Sequence, residues 1–239
     1  MRQQILFTVL VSALASCNFM NGERVDGNGN LASESRHVAD FKSIASFGPM
    51  DIVLTQSPTT AVQVSGDENL LQYITTETDG STLKIKIKQG YDINPEKHLQ
   101  VRVSAPGFEE ISSSGSGNTT SENTLVNSDK MDFQLNGSGD MNIKLDAPSI
   151  ESHTAGSGDI TFSGKAASAD MSVAGSGNIH SFGLTTQSTE IKITGSGDAE
   201  IYATRQINVK VVGSGDVHYK GGASVDTHIT GSGSASKAD

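Results

Sequence analysis

The chain has no tryptophan and one cysteine in 239 residues, and aromatic residues make up only 5% of it. A lone cysteine excludes a disulfide framework within the chain. So few aromatic rings exclude a thick aromatic core, and the missing tryptophan weakens any platform on which a sugar ring would stack. Basic residues are scarce, with 17 Lys and Arg against 27 Asp and Glu and a net charge of −10. That balance argues against a nucleic-acid partner. It also means that an anionic membrane surface would repel the chain. Hydrophobic residues reach only 35%, which suits a thin core shared by many short strands.

Glycine is what the chain has instead, with 26 residues, and much of it sits in one recurring phrase. The copies are Gly115-Ser116-Gly117-Asn118, Gly137-Ser138-Gly139-Asp140, Gly156-Ser157-Gly158-Asp159 and Gly175-Ser176-Gly177-Asn178. They continue as Gly195-Ser196-Gly197-Asp198, Gly213-Ser214-Gly215-Asp216 and a degraded Gly231-Ser232-Gly233-Ser234. The steps between copies are 22, 19, 19, 20, 18 and 18 residues. A nearly fixed step means stacked structural units. A period near twenty is too short for a helix pair and suits one turn of a β-solenoid.

Aligning the copies separates two parities. Leu135, Thr154, Val173, Ile193, Val211 and Ile229 stand two residues before the first glycine, and Met141, Ile160, Ile179, Ala199 and Val217 two after the second. Alternate side chains of a strand face opposite sides, so this parity is the inward one. The glycines share it, where a bend or close backbone approach leaves no room for a Cβ. The other parity carries an acidic column: Glu110, Asp132, Glu151, Asp170, Glu190, Asn208 and Asp226. The fourth motif residue forms a second. Like charges stacked about 5 Å apart repel. This predicts raised carboxyl pKa values and a fold that gains stability on acidification. Between the columns, variable segments such as Lys144 to Ile150 read as an irregular third side.

The N-terminus is a separate matter. Ile5 to Ala15 is too short an apolar run to span a bilayer as a helix and reads, over residues 1–16, as a signal peptide. Leu14-Ala15-Ser16-Cys17 closes it and resembles the lipobox of bacterial lipoproteins. Cys17 is therefore expected to carry the lipid and become residue one. Residues 17–40 are rich in Gly, Asn, Ser and Glu and read as a flexible tether. The β-structure is expected over 41–236, with a short tail at 237–239.

Before the repeats, Ile74 to Thr78 and Leu83 to Lys88 flank Asp79-Gly80 and read as a hairpin. Asp67 to Tyr73 reads as a turn of helix capped by Asp67. Lys84, Lys86 and Lys88 form a basic strand face, read as solvated. Phe41-Lys42-Ser43-Ile44, Gly48-Pro49-Met50-Asp51-Ile52-Val53-Leu54, Asp67-Glu68-Asn69-Leu70, Leu83-Lys84-Ile85-Lys86-Ile87 and Val101-Arg102-Val103-Ser104-Ala105-Pro106 precede the Gly-Ser-Gly-Asp series. In that order they resemble the auto-transporter adhesin head domain, the GIN domain family, over nearly all of residues 41–236. The resemblance implies an all-β fold, a right-handed single-stranded parallel β-helix. It also implies an adhesive role in Gram-negative bacteria and carries over no ligand and no catalytic residue.

Candidate chemistry is sparse. His180, Glu200 and His218 share an outward column on adjacent rungs at a spacing that a transition metal could bridge. A flat, open column lacks the supporting partners of a metal site, and a solvated ladder accounts for it. The motif lacks the nine-residue period of Ca²⁺-binding repeats and the lysine of a phosphate-binding loop. No metal, no cofactor and no enzymatic activity are expected. The chain reads as a lipid-anchored module of the cell envelope, at the outer membrane, that binds a protein or glycan ligand or serves as structure. The alternative is a carbohydrate-binding or lyase-like protein on the same scaffold, marked by an exposed groove of clustered carboxylates and bases.

Overall fold

The computed structural model describes residues 22–239. The expected signal peptide and Cys17 lie outside them. The described residues open with β1 (Glu23–Asp26), β2 (Leu31–Arg36), β3 (Ser43–Gly48), β4 (Asp51–Gln56) and β5 (Ala61–Asp67). A 3-10 helix over Glu68–Tyr73 leads to β6 (Ile74–Asp79), β7 (Thr82–Ile87), β8 (Tyr91–Asn94) and β9 (Gln100–Ala105). Then come β10 (Glu110–Gly115), β11 (Thr119–Ser121), β12 (Leu125–Val126) and β13 (Lys130–Gly137). The long strands are β14 (Met141–Gly156), β15 (Ile160–Gly175), β16 (Ile179–Gly195) and β17 (Ala199–Gly213). The chain closes with β18 (Val217–Lys220), β19 (Ser224–Gly231) and β20 (Ala235–Lys237).

From β10 onward every pairing is parallel and joins successive repeats, which makes a parallel β-helix. The register follows the motif: Gly115 pairs with Gly137, Gly137 with Gly156, Gly156 with Gly175, Gly175 with Gly195 and Gly195 with Gly213. The inward parity is the buried one. Leu135, Thr154, Val173, Ile193 and Val211 are at most 2% exposed, and Met141, Ile160, Ile179, Ala199 and Val217 at most 1%. Phe133 and Phe162 meet inside with ring centroids 5.0 Å apart. Ser152 stacks next to Phe133 in register, and Ser181 holds the motif position that follows Phe162. These small residues leave the volume that the two rings fill.

Three expectations change on contact with the structure. The variable segments are not an irregular third side in the middle rungs, because β14 to β17 run through them as continuous bent strands. Length differences are absorbed by register shifts between Thr161 and Ser163 and between Ser181 and Ser188, the work of β-bulges. The stretch expected as a tether holds structure from Glu23: β1 pairs with β8, and β2 pairs antiparallel with β5. Gly48-Pro49-Met50-Asp51 is a further, diverged copy of the motif, since Gly48 aligns with Gly115 and takes the same positive φ. A long insertion separates it from the next copy and hid it from the spacing argument.

That insertion closes the N-terminal end of the rod. β7 and β9 add one more parallel layer to β3 and β4. The expected hairpin, β6 on β7, and β5 on β9 then run antiparallel across it, with β2 outermost. Among the described residues the C-terminal layer, β19 and β20, has no such cover.

Candidate functional site

The motif glycines are demanded by the stack itself. Gly156 has φ +126°, and a Cβ there would lie 2.3 Å from the Gly137 carbonyl oxygen. A Cβ on Gly158 would lie 2.0 Å from the Gly139 oxygen. The obstacle lies along the rod axis rather than in the core, because each turn sits directly on the turn before it. The closeness has a use: the N–H groups of Ser157 and Gly158 both donate to the Gly137 carbonyl, at 2.9 and 3.1 Å. Gly137, Gly139, Gly195, Gly197, Gly213 and Gly215 repeat the arrangement, each against the carbonyl of the preceding turn.

The fourth motif residue makes a second ladder. Its side-chain oxygen accepts the backbone N–H of the same position one rung on. Asp51 accepts from Asn118 at 2.8 Å, Asn118 from Asp140 at 2.9 Å and Asp140 from Asp159 at 3.0 Å. Asp159 accepts from Asn178 at 2.8 Å, Asn178 from Asp198 at 2.8 Å, Asp198 from Asp216 at 2.7 Å and Asp216 from Ser234 at 2.8 Å. Asp or Asn is needed because only a short side chain ending in an oxygen reaches that N–H. The column is a chain of caps, not a row of bare charges.

The other acidic column is interleaved with cations, which corrects the expectation of raised carboxyl pKa values there. Lys130 bridges Asp132, at 2.8 Å, and Glu151. Lys192 lies 3.4 Å from Asp170 and 3.2 Å from Glu190, and Lys210 lies 2.9 Å from Glu190. Hydrogen bonds from Lys130 and His153 hold the Glu151 carboxyl below its usual value, and those from Lys210 and Lys192 do the same for Glu190. Lys192 and Lys210 stand in the outward column two residues after the acidic one, and Lys130 in the outward column two residues before it. A groove of about 330 Å³ runs along this column, lined by Lys130, Glu151, Asp170 and Glu190 with Ser149, Ser168 and Ser188.

His180, Glu200 and His218 do form a column. The His180 ring lies 3.1 Å from Glu200 and 3.9 Å from Asp159, while His218 turns to Ser236 at 2.9 Å. Among the described residues no three metal-ligating side chains converge on one point. Of the basic strand face, Lys84 pairs with Asp79 at 2.5 Å and Lys86 with Glu77 at 3.5 Å.

Asp67 was expected to cap the helix, and its side chain makes no such bond. It is fully buried and accepts the N–H groups of Gly29 at 2.7 Å, Glu96 at 2.9 Å and Lys97 at 2.8 Å. Desolvation works to raise its pKa, and the three backbone donors overcome this and hold it below 3.8. Asn69 adds a bond to Asp26 O and one from Asn28 N. Together they tie the N-terminal strands to the rod. At the other end of β5 from Asp67 opens a cleft of about 910 Å³, lined by Asp40, Phe41, Lys42, Pro58, Pro106 and Val126. Val126 is 55% exposed there.

A rod of stacked rungs, laddered on its outer faces and grooved rather than hollow, defines a β-solenoid whose working surface is its exterior. The chain belongs to the family described as putative auto-transporter adhesin, head GIN domain, whose model matches residues 40–223. A crystal structure of a putative adhesin from Bacteroides fragilis is similar, with 26% identity, a TM-score of 0.85, and coverage of 90% of this chain and 100% of that one. A putative adhesin from Parabacteroides distasonis has 30% identity and a TM-score of 0.73 over 90% of this chain and 100% of its own. A putative lipid binding protein from the same species has 28% identity and a TM-score of 0.76, over 91% and 100%. No curated protein matches the chain.

Proposed function

We propose that this chain is a lipid-anchored, non-enzymatic adhesion module of the cell envelope, held to the outer membrane through Cys17. The reading rests on a rod in an adhesin family that offers an open cleft with an exposed Val126 beside Phe41, Pro58 and Pro106. Such a cleft suits an extended protein or glycan ligand, with apolar contact from Val126, Pro58 and Pro106 and polar contact from Asp40, Lys42 and Glu109 in its lining. Immobilised protein screened against glycan and matrix-protein arrays tests it. Retention of one ligand class, lost in Val126→Glu with unchanged melting, supports the cleft; no retention, or retention untouched by that variant, removes it. Cys17→Ser should move the protein out of the membrane fraction, and unchanged membrane association would sink the anchor.

The groove on the acidic column supports a second reading, carbohydrate binding, because carboxylates and lysines cluster there with small hydroxylated residues. It does not favour lyase or hydrolase chemistry. A general acid needs a raised pKa, and Glu151 and Glu190 are held low by their lysines.

A further inference from the structure

The C-terminal end of the rod is an uncovered sheet edge. β19 pairs with β17 on one side and β20 with β18. Among the described residues nothing pairs with their other sides. In β17 the inward residues Ile207, Val209 and Val211 are buried, whereas their successors in β19 are not: Val225 and Ile229 are half-buried and Thr227 is exposed. The opposite end carries β6, β5 and β2 across its edge. An uncovered edge of this kind is a template for strand addition.

The direction of its free groups can be read from the other rungs. On this face Asp132, an outward residue, sends its N–H back to the Glu109 carbonyl of the preceding rung. N–H and C=O directions alternate along a strand, so the inward residues send theirs forward. In β19 the backbone groups of Val225, Thr227 and Ile229 therefore point off the end of the rod.

We infer that this end pairs with the same end of a second copy of the chain, through antiparallel β19 strands related by a two-fold axis at Thr227. About that axis Thr227 meets Thr227, and Val225 meets Ile229, so every free group on these three residues finds a partner. The two cores then run together through Val225 and Ile229. On the outer face Asp226 of each copy lies opposite His228 of the other, in the closer, non-hydrogen-bonded pairs. Neighbouring registers lose this match. Centring on Asp226 sets two carboxylates face to face, and centring on His228 sets Asp226 against Thr230. A segment complementary to itself fits a second copy better than an unrelated strand. Because the other end is covered, the contact closes as a dimer and does not propagate into a filament.

Sedimentation equilibrium of the purified protein over about 1 to 100 μM tests it. A reversible dimer is expected, with a small-angle scattering envelope about twice the monomer's length. Thr227→Pro removes an N–H that the monomer does not use and should leave a monomer with unchanged melting. His228→Asp should weaken the dimer by about tenfold or more. Asp226→His combined with His228→Asp should restore it, which keeps the test decisive if the proline variant misfolds. A monomer throughout the range overturns the inference, as does a single charge variant that associates as well as the double.

Discussion

At the residue scale, the motif is governed by distances to the rung before it. Gly158→Ala sets a Cβ where a carbonyl oxygen already lies 2.0 Å away. The backbone must part there, and the cost should be about 3 kcal/mol or more. Gly222→Ala meets nothing within 4 Å and should change stability by less than about 0.5 kcal/mol. Thermal melts of the two decide it, and equal melting temperatures would show that the turns are not in contact. Asp67→Ala should cost about 2 kcal/mol, because it removes the shared acceptor of three part-buried N–H donors. Asp67→Asn keeps the size but removes the charge and one of the two accepting oxygens. The native carboxyl is held below 3.8, so its contribution is complete above that value and is lost only as pH falls through the folded pKa. A wild type and Asp67→Asn that melt alike at neutral pH would show that the carboxylate does not tie the N-terminal strands.

At the scale of the strand and its columns, burial and charge separate cleanly. Ile193→Asp puts a carboxylate between Val173 and Val211, each at most 2% exposed. An unpaired buried charge of this kind should cost several kcal/mol and show in denaturant midpoints. The acidic column answers to pH with the opposite sign to that of a bare charge ladder. Glu151 and Glu190 have folded pKa values below the ordinary 4.5. A depressed carboxyl pKa stabilises the fold above the unfolded value and ceases to do so as pH falls through the folded one. Melting temperature should therefore hold from neutral pH to about 5 and decline below 4.5. The decline should be modest, since the partners are a third to a half exposed and exposed pairs contribute about 1 kcal/mol or less each. Melting that rises on acidification would restore the bare-ladder picture, and Lys130→Ala should bring the column nearer to it.

At the scale of the whole molecule, the rod has unlike ends and two unlike grooves. One end is shut by antiparallel strands and a 3-10 helix, and the other leaves β19 and β20 open. Because each rung touches only its neighbours, local damage should stay local. A lesion at Gly158 should loosen the middle rungs in hydrogen exchange before it reaches β2 or β5. Uniform loss of protection along the rod would mean that the cap and the repeats fold as one unit.

The repeat, the inward parity and the register were legible in the sequence because a solenoid makes sequence period and spatial period the same thing. Residues one step apart become neighbours, so Val173, Ile193 and Val211 could be stacked on paper. Where that equivalence fails, the sequence is silent. Gly48 to Asp51 was missed as a copy because an insertion breaks the step. The cap was missed because antiparallel pairing joins segments, such as β2 and β5, that no period relates. The burial of Asp67 depends on three N–H groups brought from two distant segments, and nothing in the local run announces it. The lysines that neutralise Glu151 and Glu190 come from the outward columns on either side, and Lys130 and Lys210 reach them from adjacent rungs only once the rungs stack. Columns are decided by spacing along the chain; what lies beside, across and beyond them is decided only by the packed rod.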